Sequence, residues 1–199
     1  DYAPSKPRRL FEMDRWILSK LSKIIGDSTE SFKNYEYSKT KLDVEVFFWH
    51  TFCNNYLEII KDRIYNSEKW GKDAKISAQF TLYTTLLSIL KLMAPIMPYI
   101  TEELYQVYFR HHEKTKSIHI SEWPCLKMTN EKSEKTGDFA VAVIEEARKA
   151  KSKKNLSLKA PVKSIAAKGK ITKEEFESIK RDIESSTSCQ NISYSNLDD

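Results

Sequence analysis

The sequence predicts a mainly α protein, a helical bundle followed by a small C-terminal α/β appendage. Three observations carry that expectation. Only 4 Gly and 6 Pro occur in 199 residues, too few turn residues for a many-stranded sandwich. Apolar residues recur at helical spacing through most of residues 14–154. Beyond them the period changes, and two short alternating runs flank one further helical run.

Asp14–Phe32 places Ile17, Leu21, Ile24, Ser28 and Phe32 on one stripe, with Leu18 and Ile25 alongside. Tyr35-Glu36-Tyr37 reads as a connector and Ser38 as the N-cap of a second helix, Lys39–Tyr65. A third helix, Ala74–Ala94, carries Phe80, Tyr83, Leu87 and Leu90 and stops against Pro95. Pro98 suits the first turn of a fourth, Tyr99–His111. SIHISEWP, Ser117–Pro124, is expected to be extended, and the polar run Lys127–Gly137 a linker or weakly packed helix start. Phe139–Lys154 reads as a helix with Val143, Ala147 and Ala150 inside and its Lys/Arg outside. Val162–Ala167 and Gln190–Ser195 read as strands around a helix, Thr172–Ser185, opened by a Thr172/Glu175 capping box. Residues 1–128 would then form the bundle, and residues 129–199 a basic helix plus a small βαβ-like subdomain.

Hydrophobic residues make up 40% of the chain and aromatics 12%, which is globular rather than disordered. No apolar run is read as long enough for a membrane span, and the first residues lack a signal-like apolar stretch. Starting at Asp1 rather than Met, the chain reads as a piece of a longer protein. Cys53, Cys125 and Cys189 are scattered, odd in number and free of CxxC spacing, so a reducing cytoplasm is expected. Net charge is +5, but it is local. Nine of the 33 basic residues lie in Arg148–Lys170, which holds no Asp or Glu; elsewhere 24 basic residues face 28 acidic ones. Such a stripe suits a polyanion, although a solvated helix end produces the same pattern.

His50 and Cys53 invite a metal or catalytic reading, but zinc needs further ligands, and His111, His112 and His119 lack helpful spacing. On a 3.6-residue wheel Cys53 falls with Trp49, Tyr56, Leu57, Ile60 and Ile64, as a core thiol with a raised pKa. His50, Asn54 and Lys61 lie at the rim as a polar strip. Glu102-Glu103 and Glu145-Glu146 read as exposed helix-face charges. Trp49 is expected in the core, Trp123 as an anchor for the extended segment, and Trp70 as an exposed aromatic. No P-loop or GxGxxG occurs.

Several stretches, taken in order, resemble one family. They are DRWILSKL (Asp14–Leu21), FFWHTFCNNYLEIIKDRIY (Phe47–Tyr65), LKLMAPIMPYITEELYQ (Leu90–Gln106), SIHISEWP (Ser117–Pro124) and ARKAKSKKNLSLKAPV (Ala147–Val162). Together they look like the anticodon-binding helical domain of class I aminoacyl-tRNA synthetases for large aliphatic amino acids, over roughly residues 13 to 165. Phe48, Trp49, Phe52, Cys53, Tyr56, Leu57, Glu58 and Lys61 follow the FWxxFCxxYLExxK pattern of valyl members rather than the Ser-Asn-Trp-Tyr-Ile-Arg-Arg pattern of isoleucyl ones. The chain has no HIGH-type motif, and Lys151-Ser152-Lys153-Lys154 is not a KMSKS loop, lacking its Met and ending a helix.

The resemblance implies a bundle that grips the anticodon stem and loop of the tRNA for valine while a Rossmann domain outside this chain charges it. No catalytic residue, metal or cofactor is expected in this chain. ATP with Mg would serve the full-length enzyme, in the cytoplasm, with no membrane partner. The family's helix before DRW is not matched here, nor is the coiled-coil arm of bacterial members. Arg148, Lys149, Lys151, Lys153 and Lys154 are the expected backbone contacts, with His50, Asn54, Lys61 and Arg63 near the RNA. The same domain of an isoleucyl or leucyl enzyme, or a helical protein-interaction module, remains the alternative.

Overall fold

The computed structural model describes residues 5–197; the outermost ends of both expected regions lie outside the described residues. Helix α1, Glu12–Lys33, is followed by one long rod made of α2 (Tyr37–Val46), a π-helix (Phe47–Leu57) and α3 (Glu58–Tyr65). A short α4 (Ser67–Trp70), α5 (Lys72–Met93) and α6 (Pro98–Tyr108) complete the first bundle. Then come a 3₁₀ turn (Ile118–Ile120), α7 (Glu131–Lys153), β1 (Val162–Gly169), α8 (Lys173–Thr187) and β2 (Cys189–Asn196).

The rod departs from expectation in two ways. It begins at Tyr37, because the N–H groups of Lys39 and Thr40 already reach the Glu36 carbonyl; Ser38 is inside the helix and caps nothing. Its middle is wound wider than an α-helix, with i→i+5 bonding. Buried positions there step through Phe47, Phe52, Tyr56 and Ile60, a stride of five and then fours. Phe48, Phe52 and Tyr56 stack along it with centroids 6.0–6.1 Å apart. The wider turn rotates Trp49 away from the arc a 3.6-residue wheel assigns it, and its side chain is exposed rather than in the core.

One apolar core runs from Trp16, Leu18 and Leu21 through Phe52 and Ile60 to Ile144, Ile179 and Ile183. A smaller cluster joins Ala94, Tyr105, Phe109 and Ile118. Pro98 opens α6 as expected, at a position where its missing N–H costs nothing. SIHISEWP is not simply extended. Glu102 accepts from the Ser117 hydroxyl and the Ile118 N–H, and folds the segment into a 3₁₀ turn against α6. Trp123 does anchor it, donating Nε1–H to Thr29 at 2.9 Å.

The polar run before Phe139 is a helix start, as one of the two readings had it, but a well-packed one that forms the seam between α1 and α7. Asn130 caps α7 by accepting from the Ser133 N–H at 3.0 Å. Glu134 accepts from Ser19 and Lys23, and Asp138 from Trp16 and Lys20. Gly137 is needed there, since a Cβ would lie 2.2 Å from Trp16 Cγ. Burial on α7 follows Ala140, Ile144 and Lys151, whereas Val143 is half-buried and Ala150 exposed.

In the tail, β1 and β2 pair in parallel, with Ile165 opposite Ile192, and the predicted Thr172/Glu175 capping box opens α8. Lys72–Met93 is, against expectation, long and apolar enough to cross a membrane by length and composition; half of that window is buried as the core helix of the bundle.

Candidate nucleic-acid interface

The end of α7 and the π-helix are 94 residues apart in sequence and meet in space. Arg148 Nη1 donates to the Asn54 carbonyl at 2.9 Å. Next to it, Asn55 Nδ2 donates to the His50 carbonyl, five residues back, at 3.0 Å, which secures the wide turn. Two of the predicted groups, Arg148 with its lysines and the His50–Asn54 strip, therefore form one surface. His50 and Asn54 are exposed on it. Lys61 is also exposed, held by Glu58 at 2.5 Å.

Lys149, Lys153 and Lys154 stand in solvent at the α7 terminus. Lys149 donates to Glu146 at 2.8 Å, a hydrogen bond that raises its pKa. Cations at a helix C-terminus also complement the helix dipole, so the stripe stabilises α7 as well as facing solvent. Beyond it the exposed lysines continue with Lys159, Lys163 and Lys168, which sequence reasoning left outside its residue list. On β1 the signal was available, because Lys168 alternates with the buried Ala167 and Gly169. Between α7 and β1 lies a groove of about 630 Å³, floored by Val143, Ala147 and Ile165 and rimmed by Lys154 and Lys168.

Two predicted contacts are not on this surface. Arg63 is completely buried. Its guanidinium donates to both oxygens of Asp182, at 2.9 and 2.5 Å, and to Asp14 at 3.0 Å. Asp14 also accepts from Tyr56 at 2.7 Å and from Ser77. Burial alone would lower the Arg63 pKa, but the Asp182 and Asp14 carboxylates reverse that and hold the cation charged. Lys151 is buried too, its ammonium donating to the Leu158 and Thr187 carbonyls at 2.6 and 2.7 Å. Desolvation pulls its pKa below the ordinary value. Arg63 joins α8 of the tail to α1 and α3 of the bundle, and Lys151 ties the end of α7 to the segment before β1 and the end of α8. Each does so because a carboxylate or carbonyl far along the chain is brought to it.

The tryptophans exchange roles. Trp70 is half-buried, under Arg181 at 4.0 Å from its ring centroid and bound through Nε1 to Asp62 at 2.6 Å. Trp49 is the exposed ring beside His50. Cys53 is half-buried, and burial pushes its thiol pKa up, as expected of a packed thiol. Among the described residues no group of three His, Cys, Asp or Glu is placed to hold a metal ion. What this surface offers is exposed point charges with the His50 imidazole beside them, whereas Trp49 lines the apolar groove shared with α5 and α6.

Comparison with known proteins identifies the family of the chain. The family model described as the anticodon-binding domain of tRNA ligase matches residues 14–166. A valine–tRNA ligase of Thermococcus kodakarensis is 35% identical over 181 residues, 90% of this chain and 20% of that protein. One from Rickettsia rickettsii is 36% identical over 190 residues, 94% of this chain and 22% of the relative. One from Pyrococcus horikoshii is 34% identical over 185 residues, 92% and 20% respectively. The chain thus spans about a fifth of the length of the curated relatives it matches.

Proposed function

Because this chain belongs to the family of anticodon-binding domains of tRNA ligases, we propose that it is the tRNA-gripping part of a valine–tRNA ligase. It holds the anticodon stem-loop of the tRNA for valine while catalytic parts of the longer enzyme, using ATP with Mg in the cytoplasm, charge the distant 3′ end. Lys149, Lys153 and Lys154, continued by Lys159, Lys163 and Lys168, contact the RNA backbone. Arg148 positions this group by fastening α7 to Asn54, and His50 and Lys61 flank the RNA. The observation that carries the reading is the cluster of exposed lysines, from a segment without acidic residues, where α7 meets the π-helix and β1.

Each backbone contact adds about 0.7–0.9 to the slope of log affinity against log salt. Replacing Lys149, Lys153 and Lys154 together by Glu should abolish most tRNA binding and flatten that dependence, measured by filter binding across a salt series. Unchanged binding would overturn the assignment. Equal affinity for the tRNAs of valine and isoleucine would remove the valine specificity from this part of the enzyme.

A further inference from the structure

The α1 terminus carries a conformational cost that folding does not repay. α1 ends in a Schellman motif: the Tyr35 N–H reaches the Phe32 carbonyl at 3.1 Å, and the Glu36 N–H the Ser31 carbonyl at 2.8 Å. The motif puts its pivot residue in the left-handed region, where glycine or asparagine is at ease. At the end of α7 the same pivot is Asn155, φ +52. At the end of α1 it is Tyr35, φ +61. A buried ring could offset that strain, but Tyr35 is 79% exposed, with its ring edge-on to Tyr37 at 6.2 Å between centroids.

Tyr35 is the outermost of a chain of aromatic rings. Tyr37 lies 5.1 Å from Phe32, and Phe32 lies 5.0 Å from Trp123, itself tied to Thr29. The inner rings are fixed, and the outer faces of Tyr35 and Tyr37 are open to solvent. The nearby charges do not suit phosphate. Lys33 and Lys39 are engaged by Glu30 and Asp43, and Glu36 and Glu122 are exposed alongside. An open aromatic face suits a nucleobase, whose π-face stacks whatever its identity, provided the backbone charge is met elsewhere. The cation surface lies towards the other end of α1, since α7 runs antiparallel to it from Glu134 beside Lys23 to Asp138 beside Trp16. The α7 lysines lie 11 to 16 residues past Asp138, beyond the far end of α1, so the RNA would run farther than the roughly 33 Å length of that helix to reach both them and the rings.

We propose that Tyr35, backed by Tyr37 and Trp123, is a stacking platform for an unpaired base in the loop of the RNA whose backbone the α7 lysines hold. The inference rests on the RNA-binding reading above. It accounts for a strained tyrosine in a glycine position as a residue kept for binding rather than for folding.

The test uses this chain and two synthetic RNAs: the anticodon stem-loop of a valine tRNA, and the same hairpin with abasic loop nucleotides. Tyr35→Gly should unfold at the same or higher denaturant than the parent, since it relieves the strain. It should nevertheless lose about five-fold or more in affinity for the base-bearing hairpin and nothing for the abasic one. Tyr35→Phe should retain parental binding. Parental affinity in Tyr35→Gly, or an equal loss in Tyr35→Phe, would overturn stacking at this position. A parent chain that binds neither hairpin would instead overturn the RNA-binding reading, and this inference with it.

Discussion

Arg63 and the lysines at the α7 terminus are both basic side chains on amphipathic helices, and the molecule uses them in opposite ways. Arg63 is sealed from solvent between Asp14 and Asp182, joining α3 to α1 and α8. Lys153 and Lys154 face solvent in a segment without acidic residues. The first cluster spends its charge inside the fold and gains orientation of the tail on the bundle. The second leaves its charge to be satisfied by whatever binds. Lys151, between two lysines of the stripe, belongs with Arg63 because its ammonium is turned inward onto two carbonyls. The difference teaches that residue type does not mark an interface; what decides is whether the fold supplies the counter-group.

The comparison breaks most sharply at Arg63. Arg63→Met leaves two buried carboxylates unpaired and should cost about 3–5 kcal/mol, read from urea denaturation. Lys153→Glu with Lys154→Glu should change stability by no more than about 0.5 kcal/mol. Similar values for the two variants would erase the distinction. Lys151→Met comes next. It strips the Leu158 and Thr187 carbonyls of their donor and should cost about 1–3 kcal/mol. It should also leave the salt slope of RNA binding intact, because that ammonium is not offered to solvent.

The smallest effect sharpens the comparison through pH. Burial alone would raise the Glu134 pKa, but hydrogen bonds from Lys23 and Ser19 override it and hold the carboxyl below its usual 4.5. A lowered folded pKa means the contribution is fully present above the unfolded value and is lost as pH falls through the folded one. Stability should therefore drop on acidification below about pH 4.5 by more in the parent than in Glu134→Gln, in unfolding curves taken at successive pH values. Parallel curves would show that the carboxylate contributes nothing to the α1–α7 seam.

How far the molecule can be read in advance depends on the range of the interactions involved. The capping box at Thr172, the proline that opens α6 and the alternation in β1 and β2 were legible because each is decided within a few residues. The exposed lysines were legible as a run, because a solvated face needs no partner. The π-helix was not, since its wide turn goes with long-range contacts such as Tyr56 to Asp14 of α1; the assumed 3.6-residue wheel therefore misplaced Trp49, while Trp70, expected exposed from its polar turn, is covered by Arg181 of α8. The helix start before Phe139 was expected to be weakly packed, or a linker, for a similar reason. Its polar residues look solvated until Ser19, Lys23 and Trp16 of α1 are placed opposite them.

Local chemistry in the chain was thus enough to establish the helical bundle, the α/β tail, the resemblance to a family and the general location of positive charge. Tertiary structure alone settled which charges are available. Arg63 meets Asp182 across 119 residues and Lys151 meets Thr187 across 36, and burying a charge is tolerable only where such partners converge. That convergence is a property of the assembled fold, so no local pattern could have separated Lys151 from the exposed lysines on either side of it.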